Sequence, residues 1–140
     1  MKTAGGVVLP AHVRRMILAH ARADRPRECC GFLVGRAHRV SFAVPMRNIA
    51  RGTARYRIRP AEHITVRRIL RLVAPQMTIV GVYHSHPAGR AWPSATDVRE
   101  AHYSNWVYVI VGFSERRSAL RAFRIARGRV SSSALSIDRS

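Results

Sequence analysis

The sequence predicts an α+β fold, a single domain over residues 1–140 with a central mixed β-sheet flanked by helices. Apolar runs of strand length recur along the chain, segments with a helical apolar period separate some of them, and the two types do not strictly alternate. A chain of 140 residues is about the length of one ordinary domain. Its 47% apolar content is enough to fill a core without disulfides.

The N-terminal half of the chain predicts three strands and two helices. In chain order these are a strand over residues 5–9, a helix over 11–22, a strand over Cys29–Val34, an alternating strand over Val40–Val44, and a helix from Pro60 that Pro75 stops. The second helix carries an apolar stripe at i, i+3, i+4 and i+7, made of Val66, Ile69, Leu70 and Val73. Pro60 suits its first turn because proline has no amide hydrogen to lose there.

The C-terminal half predicts four further strands and a short helix. They are a buried strand over Met77–Tyr83, a helix opened by Pro93 and Ser94 and continuing to Tyr103, and strands over Trp106–Gly112, Ala119–Ile125 and Arg129–Ile137 in hairpin order.

The charge balance is strongly basic, with 25 basic residues against seven acids and a net charge of +18. Lys2 is the single lysine, so the excess is almost entirely arginine. This composition excludes an acidic or disordered solvating chain. It leaves two explanations, GC-rich coding bias and a nucleic-acid partner, and it predicts weak, salt-sensitive nucleic-acid binding in either case.

The chain ends and the cysteines predict a cytoplasmic protein. The N-terminal segment lacks the apolar core of a signal peptide, and the longest apolar run, Trp106–Phe113, is too short to span a bilayer. The two cysteines, Cys29 and Cys30, are adjacent and form no disulfide framework. Neighbouring residues of a strand face opposite sides, so these two thiols cannot ligate one metal ion.

One segment carries the residues of a metal site. His84 and His86 are two residues apart at the end of a predicted strand, so their side chains leave the same face. Asp97 can return a carboxylate from the following loop. Three nitrogen and oxygen ligands with one open position are typical of a catalytic zinc site. The alternative is structural: Ser94-x-x-Asp97 also matches a helix capping box, and strand histidines often only fill space.

The same residues resemble the JAMM (MPN+) metallopeptidase signature. That pattern is an upstream glutamate, then His-Ser/Thr-His, seven residues, and Ser-x-x-Asp; this chain has Glu28, His84-Ser85-His86, and Ser94 followed by Asp97. The resemblance extends from about Val7 to about Ile125 and implies the cytidine-deaminase-like JAMM fold.

The resemblance also implies a role for each residue. His84, His86 and Asp97 would be the ligands of a Zn²⁺ ion. Glu28 would be the general base that assists attack of a zinc-bound water and then protonates the leaving amine. Ser94 would steady the oxyanion that develops beside the metal.

The resemblance further implies a zinc-dependent peptidase or isopeptidase acting at the C-terminus of a ubiquitin-like protein. The short chain is similar to small prokaryotic members that act on acidic sulfur-carrier proteins ending in Gly-Gly, one of which releases cysteine. The arginine-rich stretch 47–59 is the predicted wall of the groove that receives this tail. The rival interpretation is a nucleic-acid-binding protein with a structural or vestigial zinc site, although aromatic residues are few and no known binding module is visible. The oligomeric state stays open, with a homodimer as one option.

Overall fold

A computed structural model of the chain describes residues 6–114 and 117–140. Within these residues the backbone forms eight strands and three helices. The strands are β1 Val7–Pro10, β2 Cys30–Arg36, β3 Arg39–Met46, β4 Thr78–His86, β5 Val107–Ser114, β6 Arg117–Ala126, β7 Arg129–Ser133 and β8 Leu135–Asp138. The helices are α1 Ala11–Asp24, α2 Pro60–Val73 and α3 Ala95–Arg99. None of these helices is long and apolar enough to cross a membrane.

All eight strands belong to one mixed sheet. Their order is β7-β6-β5-β4-β2-β3-β1-β8. The pairs β4–β5, β1–β3 and β1–β8 are parallel, and the remaining neighbours are antiparallel. The predicted α+β class with a mixed sheet is therefore confirmed.

The last predicted strand is wrong as a single element. Residues 129–137 divide at Ala134 into β7, which pairs with β6, and β8, which pairs with β1 at the opposite edge of the sheet. Ala134 contributes its carbonyl to a 2.7 Å hydrogen bond from Val7 N. One residue thus separates the two edges, so the sheet curves strongly toward itself. Alternation along the chain cannot predict this change, because it depends on a partner strand far away in sequence.

Each face of the sheet has its own apolar cluster. Leu33 belongs to one cluster while its strand neighbours Phe32 and Val34 belong to the other, as expected where successive side chains point to opposite faces. Helix α1 covers the first face with four buried residues, Val13, Ile17, Leu18 and Ala21.

Helix α2 covers the second face only partly. It buries Leu70, while Ile69 and Val73 of the predicted stripe are 51% and 72% exposed. The helix contacts this cluster through Val66 and Leu70, and His63 packs on Phe32 with ring centroids 4.7 Å apart. The buried side of α2 is therefore rotated from the predicted one toward positions 63, 66 and 70.

Candidate active site

The centre of the sheet positions three of the predicted site residues. Strand β4 continues through both histidines, and Cys30 at the start of β2 pairs with His84. Ser85 extends this pairing: its Oγ accepts a 2.8 Å hydrogen bond from Cys29 N, and its own amide donates to the Cys29 carbonyl at 3.2 Å. Glu28 is thereby fixed beside the two histidines. A ligand atom from each of Glu28, His84 and His86 lies within 4.8 Å of the other two.

The loop after β4 returns Asp97 to the same place. Phe113 N donates to the Gly89 carbonyl at 2.9 Å, which fastens the loop to β5. Gly112 permits this approach, because a Cβ there would overlap the backbone of Ala91. Ser94 then caps α3: its Oγ accepts from Asp97 N at 3.0 Å, and Asp97 Oδ2 accepts from Ser94 N at 2.9 Å. Asp97 is therefore both a member of the capping box and a predicted metal ligand.

Three ligand atoms form a nearly regular triangle. Asp97 Oδ2 is 3.1 Å from His84 Nε2 and 3.0 Å from His86 Nε2, and the two nitrogens are 3.1 Å apart. A tetrahedral zinc ion with ordinary bond lengths separates its ligands by about 3.3 Å. The triangle is within a few tenths of an ångström of that spacing, so these side chains fit a zinc ion.

The position of the proton on the His86 ring supports the same fit. Its Nδ1 lies 2.8 Å from the Arg90 carbonyl, which can only accept, so Nδ1 carries a proton. A neutral His86 then directs the Nε2 lone pair at the Asp97 carboxylate. Two acceptors at 3.0 Å repel each other unless the imidazole is protonated or a cation lies between them. A metal cation removes this conflict without an added proton.

The surroundings tune the other ligands in the direction that metal binding needs. Burial lowers the pKa of His84, which favours the neutral imidazole. Burial alone would raise the pKa of Asp97, but the imidazoles of His84 and His86, which donate to the carboxylate when their Nε2 atoms carry protons, hold it well below its usual range. The Asp97 carboxylate is therefore held ionised, and burial favours the neutral form of His84.

Glu28 differs from an ordinary surface carboxylate. It is 4% exposed, and burial raises its pKa to about 7, with the nearby His86 opposing the rise. Within residues 6–114 and 117–140, its Oε1 is one of three buried side-chain atoms that lack a hydrogen-bond partner, and His84 Nδ1 is another. A carboxyl that holds its proton near neutral pH and has a free oxygen can serve as a general base or acid.

The cysteines take no part in this centre. Both are fully buried, and burial raises the pKa of Cys29 to about 11 and that of Cys30 to about 12. Protonated thiols are poor ligands, because the thiolate is the form that binds metal.

An aromatic cavity of about 410 Å³ lies next to the centre. Tyr56 lines the cavity and stacks on the His84 ring with centroids 4.5 Å apart. Tyr103, Trp106 and Tyr108 also line the cavity, and so do Arg55 and Glu100, where Arg55 Nη2 donates to Glu100 Oε1 at 2.7 Å. We use the name aromatic cavity for this space. His63 and His102 also line it.

Asn48 connects the cavity wall to the centre. It is 7% exposed and satisfies its amide completely: Nδ2 donates to the carbonyls of Glu28 and Arg55, and Oδ1 accepts from the amides of Ala50 and Arg57. Residue patterns did not single out Asn48 or Tyr56. Tyr56 could have been noticed as the one aromatic residue in the arginine-rich stretch 47–59.

The structure thus brings together all five predicted site residues, Glu28, His84, His86, Ser94 and Asp97. The fold and this pocket define the class of small α+β proteins with a candidate histidine–carboxylate metal centre at one strand end.

Comparison with known proteins identifies the family of this chain. The chain belongs to the prokaryotic homologs of the JAB domain, whose family model matches residues 10–126. It is 37% identical to the CysO-cysteine peptidase of Mycobacterium tuberculosis over 127 residues, which cover 89% of this chain and 86% of that protein. It is 35% identical to the desampylase of Haloferax volcanii over 124 residues, covering 84% and 88% respectively. A JAB1/MPN domain protein from Archaeoglobus fulgidus has the same fold, with a TM-score of 0.62 at 15% identity, covering 96% of this chain and 98% of that one.

Proposed function

We propose that this protein is a zinc-dependent peptidase that hydrolyses an amide bond at the C-terminus of a ubiquitin-like sulfur-carrier protein and releases cysteine. The observation that carries the proposal is the convergence of Asp97 Oδ2 and two imidazole nitrogens at 3.0–3.1 Å beside the buried carboxyl of Glu28. The mycobacterial relative supports the substrate class, since its name states that it acts on CysO-cysteine.

His84, His86 and Asp97 would hold the zinc ion. When bound, zinc would polarise the scissile carbonyl and acidify a water molecule. Side chains of the protein would carry out the proton transfers and stabilise the oxyanion. Glu28 would accept the proton that the attacking water loses and then pass it to the leaving amine nitrogen. Its pKa of about 7 suits both directions of transfer at neutral pH.

Ser94 would bind the oxygen on which negative charge develops. Its Oγ already accepts a hydrogen bond from Asp97 N, so the hydroxyl proton is free to point elsewhere. A donor fixed in advance by a helix cap needs little reorganisation as the charge forms.

The aromatic cavity would receive the flexible tail of the carrier. It adjoins His84 through Tyr56, and its lining also includes the aromatic rings of Tyr103, Trp106 and Tyr108. A Gly-Gly tail has no side chains that would prevent it from lying against these rings. The residues Arg55 and Arg57 of the predicted groove wall line this space.

The decisive experiment combines metal content with turnover. The purified protein is assayed for bound zinc and for release of cysteine from a CysO–cysteine conjugate, before and after treatment with a chelator. We expect close to one zinc ion per chain and cleavage that is lost on chelation and restored by Zn²⁺. A protein that cleaves the conjugate equally well without metal, or binds zinc and never cleaves it, would contradict the proposal.

A further inference from the structure

A second concavity, of about 500 Å³, adjoins the arginine-rich loop. Four arginines line it, Arg27, Arg47, Arg51 and Arg59, together with the backbone segment 48–52. We refer to it as the arginine basin. Among the residues that the structure places on its wall, none is acidic. Arg59 Nε lies 3.7 Å from Glu62 Oε1, which leaves the other three guanidinium groups to set the local charge.

Part of the basin is held in place before any partner arrives. The Arg27 guanidinium donates to the carbonyls of Asn48, at 3.1 Å, and Ala50. Arg47 and Arg51 extend from the same backbone segment and are exposed. A guanidinium fixed by backbone carbonyls keeps further N–H groups available for a carboxylate, with little conformational entropy left to lose.

The basin and the aromatic cavity are two surfaces of one loop. Residues 47–52 and Arg59 line the basin, whereas 55–58 line the cavity. Ile49 N donates to the Arg57 carbonyl at 2.9 Å, and Asn48 bridges the two segments, so the loop is rigidly closed on itself. Asn48 also binds the carbonyl of Glu28, which follows Arg27. The predicted groove wall, Arg47 to Arg59, is thus divided between two neighbouring sites.

We infer that the arginine basin docks an acidic surface on the folded body of the carrier, while the tail of that carrier enters the aromatic cavity. This inference rests on the proposed function and adds a second point of recognition to it. The charge of the basin complements carboxylates, and its shared loop sets it beside the cavity that receives the tail. A single-stranded nucleic acid fits the basin less well, because none of the described residues that line it is aromatic and could stack on a base.

The test compares a folded substrate with its isolated tail. The probes are the CysO–cysteine conjugate and a synthetic peptide with the same C-terminal tail ending in cysteine. The basin variant is Arg47→Glu/Arg51→Glu, two exposed positions whose side chains make no hydrogen bond or ion pair with the residues that the structure describes. Binding of a labelled DNA duplex is measured in parallel.

The matched control is Arg127→Glu/Arg129→Glu, which makes the same change in net charge. Both residues are exposed; Arg127 lies in the β6–β7 turn and Arg129 begins β7. The sheet register places that turn far from the centre, because His86 is level with Gly112 and Ala119, at the other end of β6. The control therefore measures the long-range effect of charge alone.

We expect the ratio of kcat/KM for the conjugate to kcat/KM for the peptide to fall about tenfold in the basin variant, mainly through KM, and to stay within about twofold in the control. Raising the salt concentration should lower conjugate turnover by the wild type and shrink the difference between the variants, while zinc content stays constant.

Other outcomes overturn the inference in distinguishable ways. Equal losses in the basin variant and the control would mean that only net charge matters. An unchanged ratio together with a selective loss of duplex binding would make the basin a nucleic-acid surface. A wild type that binds zinc but cleaves neither probe would reject the proposed function itself, and the docking inference with it.

Discussion

The two halves of the candidate centre are built in different ways. Glu28 lies just before β2, and His84 and His86 end β4 in the middle of the sheet, where strand pairing and the Ser85–Cys29 hydrogen bonds fix them. Ser94 and Asp97 come from the capping box of α3, a helix of five residues whose Val98 packs only partly buried against the core. The first half is held by the core, and the second by a few local hydrogen bonds and the contact of Val98.

One atom, Asp97 Oδ2, connects the two halves. Asp97 Oδ2 accepts from Ser94 N at 2.9 Å and also faces both imidazole nitrogens. The same oxygen therefore caps a helix and completes the metal triangle. We call Glu28, His84 and His86 the strand half of the centre, and Ser94 and Asp97 the helix half. We expect the strand half to keep its geometry without metal and the geometry of the helix half to depend on the metal.

Asp97→Asn is expected to have the largest effect. The amide oxygen of asparagine can still accept from Ser94 N, so the cap survives, but the negative charge that zinc needs is gone. We predict loss of bound zinc after dialysis and loss of measurable conjugate turnover. Metal analysis and the cleavage assay check both.

Asp138→Asn is the matched control for this change. Asp138 is an acid on β8, paired with Arg39 at 3.1 Å and remote from the centre in the sheet order. Its neutralisation should leave zinc content and turnover unchanged. Zinc retention by Asp97→Asn would show that Glu28 serves as the third ligand instead, an arrangement its position also permits.

Glu28→Gln should come next in size. Glutamine has nearly the same shape but cannot accept a proton, so turnover should fall by about 10²- to 10⁴-fold while zinc remains bound. The strand half would then supply chemistry rather than metal affinity alone. Unchanged turnover would remove Glu28 from the mechanism.

Three substitutions of Ser94 distinguish a role in catalysis from a role in capping the helix. Ser94→Ala loses both the cap acceptor and the hydroxyl donor, and we predict a fall in kcat of about 10²- to 10³-fold. Glycine is nearly as good a helix cap as serine, so Ser94→Gly should restore the helix without restoring kcat. Ser94→Thr keeps the hydroxyl and should retain most activity. Recovery of kcat by the glycine variant would mean that Ser94 only caps the helix.

Asn48 tests how the loop supports the strand half. Its amide makes four hydrogen bonds in a buried position, and Asn48→Ala leaves several backbone groups without partners. The expected cost is about 1–3 kcal/mol in the free energy of unfolding. Denaturant unfolding at equilibrium measures it, and a loss below 0.5 kcal/mol, roughly that of a neutral surface substitution, would contradict it.

The sequence predicts the two halves unequally well. Alternation gives most strands of the sheet, and the spacing of His84, His86, Ser94 and Asp97 gives the candidate residues. The short helix ends at Arg99 rather than Tyr103, and the split at Ala134 is absent from the prediction. Tyr56 and Asn48 act through partners 20 or more residues away, His84 and Glu28, and local patterns contain no information about such pairs.

Removal of metal should loosen the helix half alone, and this is the smallest effect that we predict. Without a cation, Asp97 Oδ2 faces His86 Nε2, which needs a further proton before it can donate, and this repulsion weakens the hydrogen bond from Ser94 N to the same oxygen. A helix cap is worth about 1 kcal/mol, so amides of Ala95–Arg99 should exchange with solvent about fivefold faster after chelation, and those of β2 and β4 should not change. Hydrogen exchange on the zinc-loaded and chelated protein measures this. The Asp97→Asn variant serves as the reference, since its exchange should not respond to the chelator. Equal acceleration in β4 would show that the strand half also depends on the metal.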